Sequence, residues 1–118
     1  MAHLEPQSYL PLSNATLHIL LALAGGDRHG YAIMKEVLEA TGGTITLGPG
    51  TLYRSLESLL ERGLIEESTR RPAKDEDQRR RYYRLTGAGG RVLAAESQRL
   101  AAIVALARAK KVLQKAPA

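Results

Sequence analysis

The chain has 118 residues, 44% hydrophobic and 25% charged, with a formal net charge of +5. That supports one domain with a packed core, is too short for two independent ones, and excludes a disordered chain on composition. Cysteine is absent, which excludes disulfides, thiolate metal sites and cysteine nucleophiles and suits a reducing cytoplasm, while the positive balance favours an anionic partner, nucleic acid above all.

The segment from Met1 to Gln7 lacks a basic stretch followed by an apolar one, so no signal peptide is expected. The longest apolar stretches, Ile19 to Gly26 and Ala101 to Ala107, fall well short of the roughly 20 residues of a membrane span. A cytoplasmic protein with no membrane partner follows as the expectation. The first seven residues and the last four carry little to anchor them.

Ser13 or Asn14 can cap a first helix, with Pro11 just outside it. This helix, through Leu17, Ile19, Leu20, Leu21 and Leu23, is apolar most of the way round and should be largely buried. Gly25 and Gly26 stop it, and Asp27 to Gly30 reads as a turn. A second helix spans about Tyr31 to Ala40, with Ile33, Met34, Val37 and Leu38 on one face and Lys35, Glu36 and Glu39 on the other. After Gly42 and Gly43, the β-branched run Thr44 to Leu47 predicts a brief strand or an extended linker.

Pro49 suits the first position of a third helix, whose Leu52, Leu56, Leu59 and Leu60 form an apolar stripe ending at Gly63. Leu64 to Thr69 and Arg79 to Leu85 then read as two strands around a polar turn. That turn has an acidic tip, Asp75 to Asp77, between basic flanks. Thr86 can cap a last helix reaching about Gln114, roughly 40 Å long at about 1.5 Å per residue. Lys110, Lys111 and Lys115 at its carboxyl end suit the helix dipole.

This order predicts a mostly α fold with a small β-wing: a winged helix-turn-helix unit over residues 1–86 and a C-terminal dimerisation helix with a short tail over 87–118. Leu93, Leu100, Ile103, Val104, Ala107 and Val112 line an apolar side of the last helix that one small domain cannot cover. A homodimer is therefore expected, with two reading heads about 34 Å apart on a near-palindromic site.

The third helix is the reading head. Opposite its leucines stand Thr51, Arg54, Ser58 and Glu61, flanked by Tyr53 and Ser55. The amino-terminal turns of such a helix enter the major groove, where arginine can bond two acceptors on one guanine and hydroxyls can bond bases or phosphates. The wing adds Lys74, Arg79, Arg80 and Arg81. If these arginines lie in a strand, Arg79 and Arg81 share one side and Arg80 takes the other. The same alternation would bury one of Tyr82 and Tyr83 and leave the other partly exposed. The bland alternatives are an amphipathic surface helix and a solvated basic turn.

Four segments in order resemble the PadR family of regulators. His29-Gly30-Tyr31-Ala32-Ile33 is similar to its HGYxI signature, and Gly48-Pro49-Gly50-Thr51-Leu52-Tyr53 to its SPGTLY recognition-helix entry. Leu59 to Ile65 resembles LxxxGLI, and Arg80 to Thr86 followed by Gly89 resembles RRxYxLTxxG. The resemblance spans about residues 12 to 115 and implies a DNA-binding transcriptional repressor, usually a homodimer. It implies DNA-facing roles for Tyr31, Thr51, Tyr53 and the wing's basic residues. Gly48 stands where the family often has Ser, and Arg54 where it often has Pro, so operator preferences do not carry over.

Some relatives bind planar aromatic effectors with help from tryptophan. This chain has no Trp and no Phe, which argues against a stacking site and leaves aliphatic residues and Tyr9 for any small-molecule effector. No cofactor or metal site is expected: His3, His18 and His29 show no metal-ligand spacing, and no serine-centred motif accompanies them. An enzyme is therefore not expected. The remaining alternative is a winged helix used as a protein-interaction adapter, which would have no need of three wing arginines.

Overall fold

The computed structural model describes residues 5–75 and 77–114. Lys115, expected beside the end of the last helix, and Glu76, expected at the wing's tip, lie outside them, as does His3. Helix α1 spans Asn14–Ala24, strand β1 Arg28–His29, helix α2 Gly30–Ala40, helix α3 Pro49–Glu61, strand β2 Ile65–Glu67, strand β3 Tyr82–Leu85 and helix α4 Gly87–Ala109. A 3-10 turn, Pro6–Tyr9, precedes them and packs against α4, so the expectation of unanchored residues does not hold for Pro6 and Gln7. This is the mostly α fold with a small wing that the patterning predicts.

Local chemistry explains the helix starts. Ser13 caps α1, its hydroxyl oxygen accepting from the Thr16 amide at 3.1 Å. His29 caps α2, its Nδ1 accepting from the Ala32 amide at 3.1 Å. Gly48 supplies no capping side chain to α3, where Pro49 fills the position whose N–H would be unsatisfied. Leu52, Leu56 and Leu59 are buried with Ile19, Leu20, Ile33 and Val37 in one core, each contributing roughly 1.5–3 kcal/mol. Three expected core positions, Leu21, Leu38 and Leu60, are exposed instead: Leu38 and Leu60 lie at the margins of their helices' buried stripes, and Leu21 lies on the side of α1 opposite its buried Ile19, Leu20 and Leu23.

Thr44 to Leu47 pairs with no strand and is the linker between α2 and α3, the second of the two readings its composition allowed. Three expectations for the sheet need correction. The short strand lies earlier, in the supposed Asp27-to-Gly30 turn, and the antiparallel sheet runs β1-β3-β2. His29 pairs with Tyr82, and Glu66 with Arg84. Arg79 to Arg81 lie outside β3. β2 pairs only as far as Glu67 opposite Tyr83, and the Ser68 amide gives one last bond to the Tyr82 carbonyl at 2.7 Å. No partner strand then remains to hold the arginines extended, and the expected alternation among them does not apply. Finally, both tyrosines are buried, Tyr82 to 4% and Tyr83 to 7% exposure. Tyr83 faces the core, whereas Tyr82 is covered on the other face by the edge of His29 at 5.2 Å and by the Arg70 guanidinium at 4.6 Å.

α4 is bolted to the start of β2. Thr86 caps it, accepting from the Gly89 amide at 3.0 Å while its hydroxyl donates to the Gly63 carbonyl at 2.6 Å. The helix ends at Ala109, with Lys111 at φ 61° just beyond, so it is shorter than expected and Val112 lies past its end. Its first half buries Val92, Leu93 and Glu96. Leu93 belongs to the protein's own core, which corrects its assignment to the dimer face. From Ala101 onward nearly every residue is exposed.

Glu96 is 1% exposed and holds the amino-terminal segment to α4. It accepts from the Leu12 amide at 2.7 Å and from Arg99 Nε at 2.5 Å. The Arg99 hydrogen bond, aided by the Leu12 amide, holds this carboxyl below its ordinary value against the opposing effect of burial. A folded-state pKa below the unfolded one stabilises at neutral pH, and that stabilisation is lost as pH falls through the depressed value. Thermal melts recorded from about pH 7 down to about pH 3 should show Tm falling in the acid range. Glu96→Gln should melt lower than wild type at neutral pH and lose part of that acid dependence; an unchanged profile would remove Glu96 from this role.

Candidate nucleic-acid interface

The amino end of α3, the amino end of α2 and the carboxyl limb of the wing meet on one side of the protein. The leucine stripe anchors α3, so Thr51, Tyr53 and Arg54 are exposed, while Ser55 and Ser58 are half-buried at the margin. Tyr53 is 52% exposed and leans across the start of α2. Gly30 allows this: a Cβ there would sit 2.8 Å from the Tyr53 hydroxyl. Tyr31 follows at once, 62% exposed, its ring stacked on His29 at 6.5 Å between centroids.

Against these residues the wing lays its three arginines. A cavity of about 470 Å³ opens between them, lined by His29, Gly30, Tyr31, Tyr53, Asp77, Arg79, Arg80, Arg81 and Tyr83. Arg80 approaches His29, its guanidinium nitrogen 3.2 Å from Nε2. Burial pushes the Tyr83 phenol above its ordinary value, only partly offset by the Arg81 charge, so it stays protonated. The cavity thus combines guanidinium cations with phenolic donors, a surface suited to anionic oxygens.

Five predicted residues, Tyr31, Tyr53, Arg79, Arg80 and Arg81, come together here. Thr51, Arg54, Ser55 and Ser58 continue the surface along α3. Lys74 is exposed in the wing's turn and does not line the cavity. His29, Gly30, Asp77 and Tyr83 line it but were not among the predicted site residues. The HGY motif could have pointed to the first two. Asp77 had no signal beyond belonging to an acidic tip. Arg70, on the wing's other limb, is held on Tyr82, where its NH1 donates to the Asp27 carbonyl at 3.4 Å. Among the described residues no cluster of His, Asp or Glu is arranged to hold a metal ion, and no helix is long and apolar enough to cross a membrane.

Helices, sheet and wing in this arrangement define a winged helix-turn-helix protein of the DNA-binding class. The sequence pattern of the transcriptional regulator PadR-like family matches residues 19–95. The chain belongs to that family, whose members are transcriptional regulators. Its fold is similar to that of a PadR family transcription regulator from Clostridium difficile, with a TM-score of 0.68 at 27% identity, covering 81% of this chain and 96% of that one. It is also similar in fold to Bacillus subtilis PadR, solved in complex with operator DNA, with a TM-score of 0.59 at 20% identity over 92% of this chain and 51% of that one. A 37.1 kDa transposon protein from Streptomyces fradiae is 36% identical over 89 residues, which are 75% of this chain and 24% of that protein. The chain therefore spans about a quarter of that relative's length.

Proposed function

We propose that this protein is a sequence-specific regulator of transcription, a repressor, that binds a near-palindromic operator in double-stranded DNA as a homodimer. The observation that carries this is the convergence of the exposed amino-terminal turns of α3 with Tyr31 and three wing arginines on one face. α3 would lie in the major groove with Thr51, Arg54, Ser55 and Ser58 near base edges and phosphates, while the wing, Lys74 included, follows the adjacent backbone. The operator complex of the Bacillus subtilis relative supports the same use of the fold. Residues 1–86 form the DNA-binding unit and 87–118 the dimerisation helix and tail. Binding, with no cofactor and no catalysis, is the whole of the activity, and the cytoplasm is its place; a small-molecule effector is compatible with it but has no assigned site.

The dimer reading rests on the outer half of α4. Leu100, Ile103, Val104 and Ala107 recur at the helical spacing of one stripe, and Ile103 and Val104 are exposed apolar side chains. Selection of bound duplexes from a random library, paired with a mass measurement by light scattering, tests both halves of the proposal. An enriched inverted repeat with half-sites about ten base pairs apart and a dimer mass are expected. A monomer mass would remove the two-fold operator, and no retained DNA would remove the regulator reading.

Arg54 should act as a reader. Arg54→Ala is expected to weaken binding to the selected site by about 1–3 kcal/mol and relax preference at one base pair. Repeating the selection with the variant checks this; an unchanged site would show that Arg54 does not read a base.

A further inference from the structure

Among the described residues that line the basic cavity, Asp77 is the one carboxylate. Its side chain does not point idly into solvent. Oδ1 accepts from the Arg79 backbone amide at 2.9 Å and from Arg79 Nε at 3.2 Å, and Oδ2 accepts from Arg79 NH2 at 3.3 Å. A carboxylate receiving a guanidinium through both oxygens occupies it as a phosphate's oxygens would. The contact lies where α2, α3 and the wing converge, with Tyr31 and Tyr53 across the cavity.

We propose that Asp77 is an intramolecular stand-in for a DNA phosphate: it pairs with Arg79 in the unbound protein, on a wing where Arg79 is 91% exposed, and competes with the DNA backbone for that guanidinium. This rests on the DNA-binding reading above. Two costs to binding follow. The Arg79 contact with DNA replaces an existing ion pair rather than adding one, and any phosphate entering the cavity meets a negative charge. The Arg79 hydrogen bond keeps the Asp77 carboxyl below its ordinary value, so the charge persists throughout the neutral range. Asp75, on the same tip, is exposed and does not line the cavity, so it serves as a control of equal charge.

The test compares wild type, Asp77→Asn and Asp75→Asn in fluorescence titrations against one labelled duplex over a range of salt. Asparagine keeps an oxygen for the Arg79 amide while removing the charge. Asp77→Asn is expected to bind about three- to tenfold more tightly at low salt, with a log–log salt slope steeper by about 0.9, the increment for one added phosphate contact. Asp75→Asn should gain much less. Equal gains from both variants would reduce the effect to net charge and overturn the proposal. Weaker binding by Asp77→Asn would also overturn it, by showing that Asp77 presents Arg79 to DNA instead of withholding it. If the folded wild type and both variants all ignored DNA, the DNA-binding reading would fail and this proposal with it, a result distinct from either of the others.

Discussion

Replacing Arg79, Arg80 and Arg81 together by alanine is expected to weaken binding to every duplex, operator or not, by about two orders of magnitude. Each guanidinium–phosphate contact is a charge-assisted hydrogen bond. Arg79 exchanges the Asp77 carboxylate for a phosphate and adds little, so the loss of Arg80 and Arg81 at about 1.5 kcal/mol each carries the effect, roughly a hundredfold. The salt dependence should flatten at the same time. With a slope of about 0.9 per neutralised phosphate, losing these two contacts lowers it by about two. All three side chains are exposed, so the melting temperature should stay close to that of wild type. Anisotropy titrations at several salt concentrations separate this variant from Arg54→Ala. The wing variant should lose affinity uniformly, and the α3 variant should lose discrimination. Identical behaviour of the two would abolish the division between a reading helix and an anchoring wing.

Gly89→Ala should have the largest effect on stability. Gly89 is buried in the first turn of α4 against the backbone of Leu64. An added Cβ would fall on the Leu64 carbonyl oxygen and 2.9 Å from its carbonyl carbon. The obstruction is main chain at the start of β2, which also accepts the Thr86 amide at 3.2 Å, so no side chain can swing aside. Overpacking of even flexible cores costs about 1–3 kcal/mol, and a clash with pinned backbone should reach the top of that range or exceed it. Gly90→Ala is the control, because a Cβ there meets nothing within 4 Å. It should be neutral or stabilise by up to about 1 kcal/mol, as alanine does in a helix. Urea denaturation of both variants checks the pair. If Gly89→Ala matched Gly90→Ala, α4 would not be seated on β2 as described.

The two alanine substitutions also show how far the primary structure could be read. The motif ending in Thr86 and Gly89 marked this segment, and Thr86 was legible as a cap because capping is a local preference of residue type. Why Gly89 is glycine was not legible, since its obstacle, Leu64, is brought to it only by the fold. The same division runs through the candidate interface. Thr51 and Arg54 could be placed opposite the leucines of α3, with Tyr53 at their flank, because helical periodicity is a property of neighbours along the chain. The lean of Tyr53 over Gly30 and the capture of Arg79 by Asp77 depended on geometry that no spacing encodes.

What the sequence by itself determined is the set of helices, the caps of α1 and α4, most of the inward faces, the basic wing and the family to which the chain belongs. These rest on preferences and patterns within about one element's length. Tertiary structure alone decided which short segment became the sheet's third strand. Arg28–His29 won that place over the more β-prone Thr44 to Leu47 because the backbone of Tyr82 and Tyr83 lies beside it. It likewise decided that Arg79 to Arg81 would leave the ladder, that both tyrosines would be buried, and that Leu93 would face inward while Ile103 and Val104 stayed exposed. Each of these turns on a partner distant in sequence, and two- to four-residue strands carry too little periodic signal to announce one.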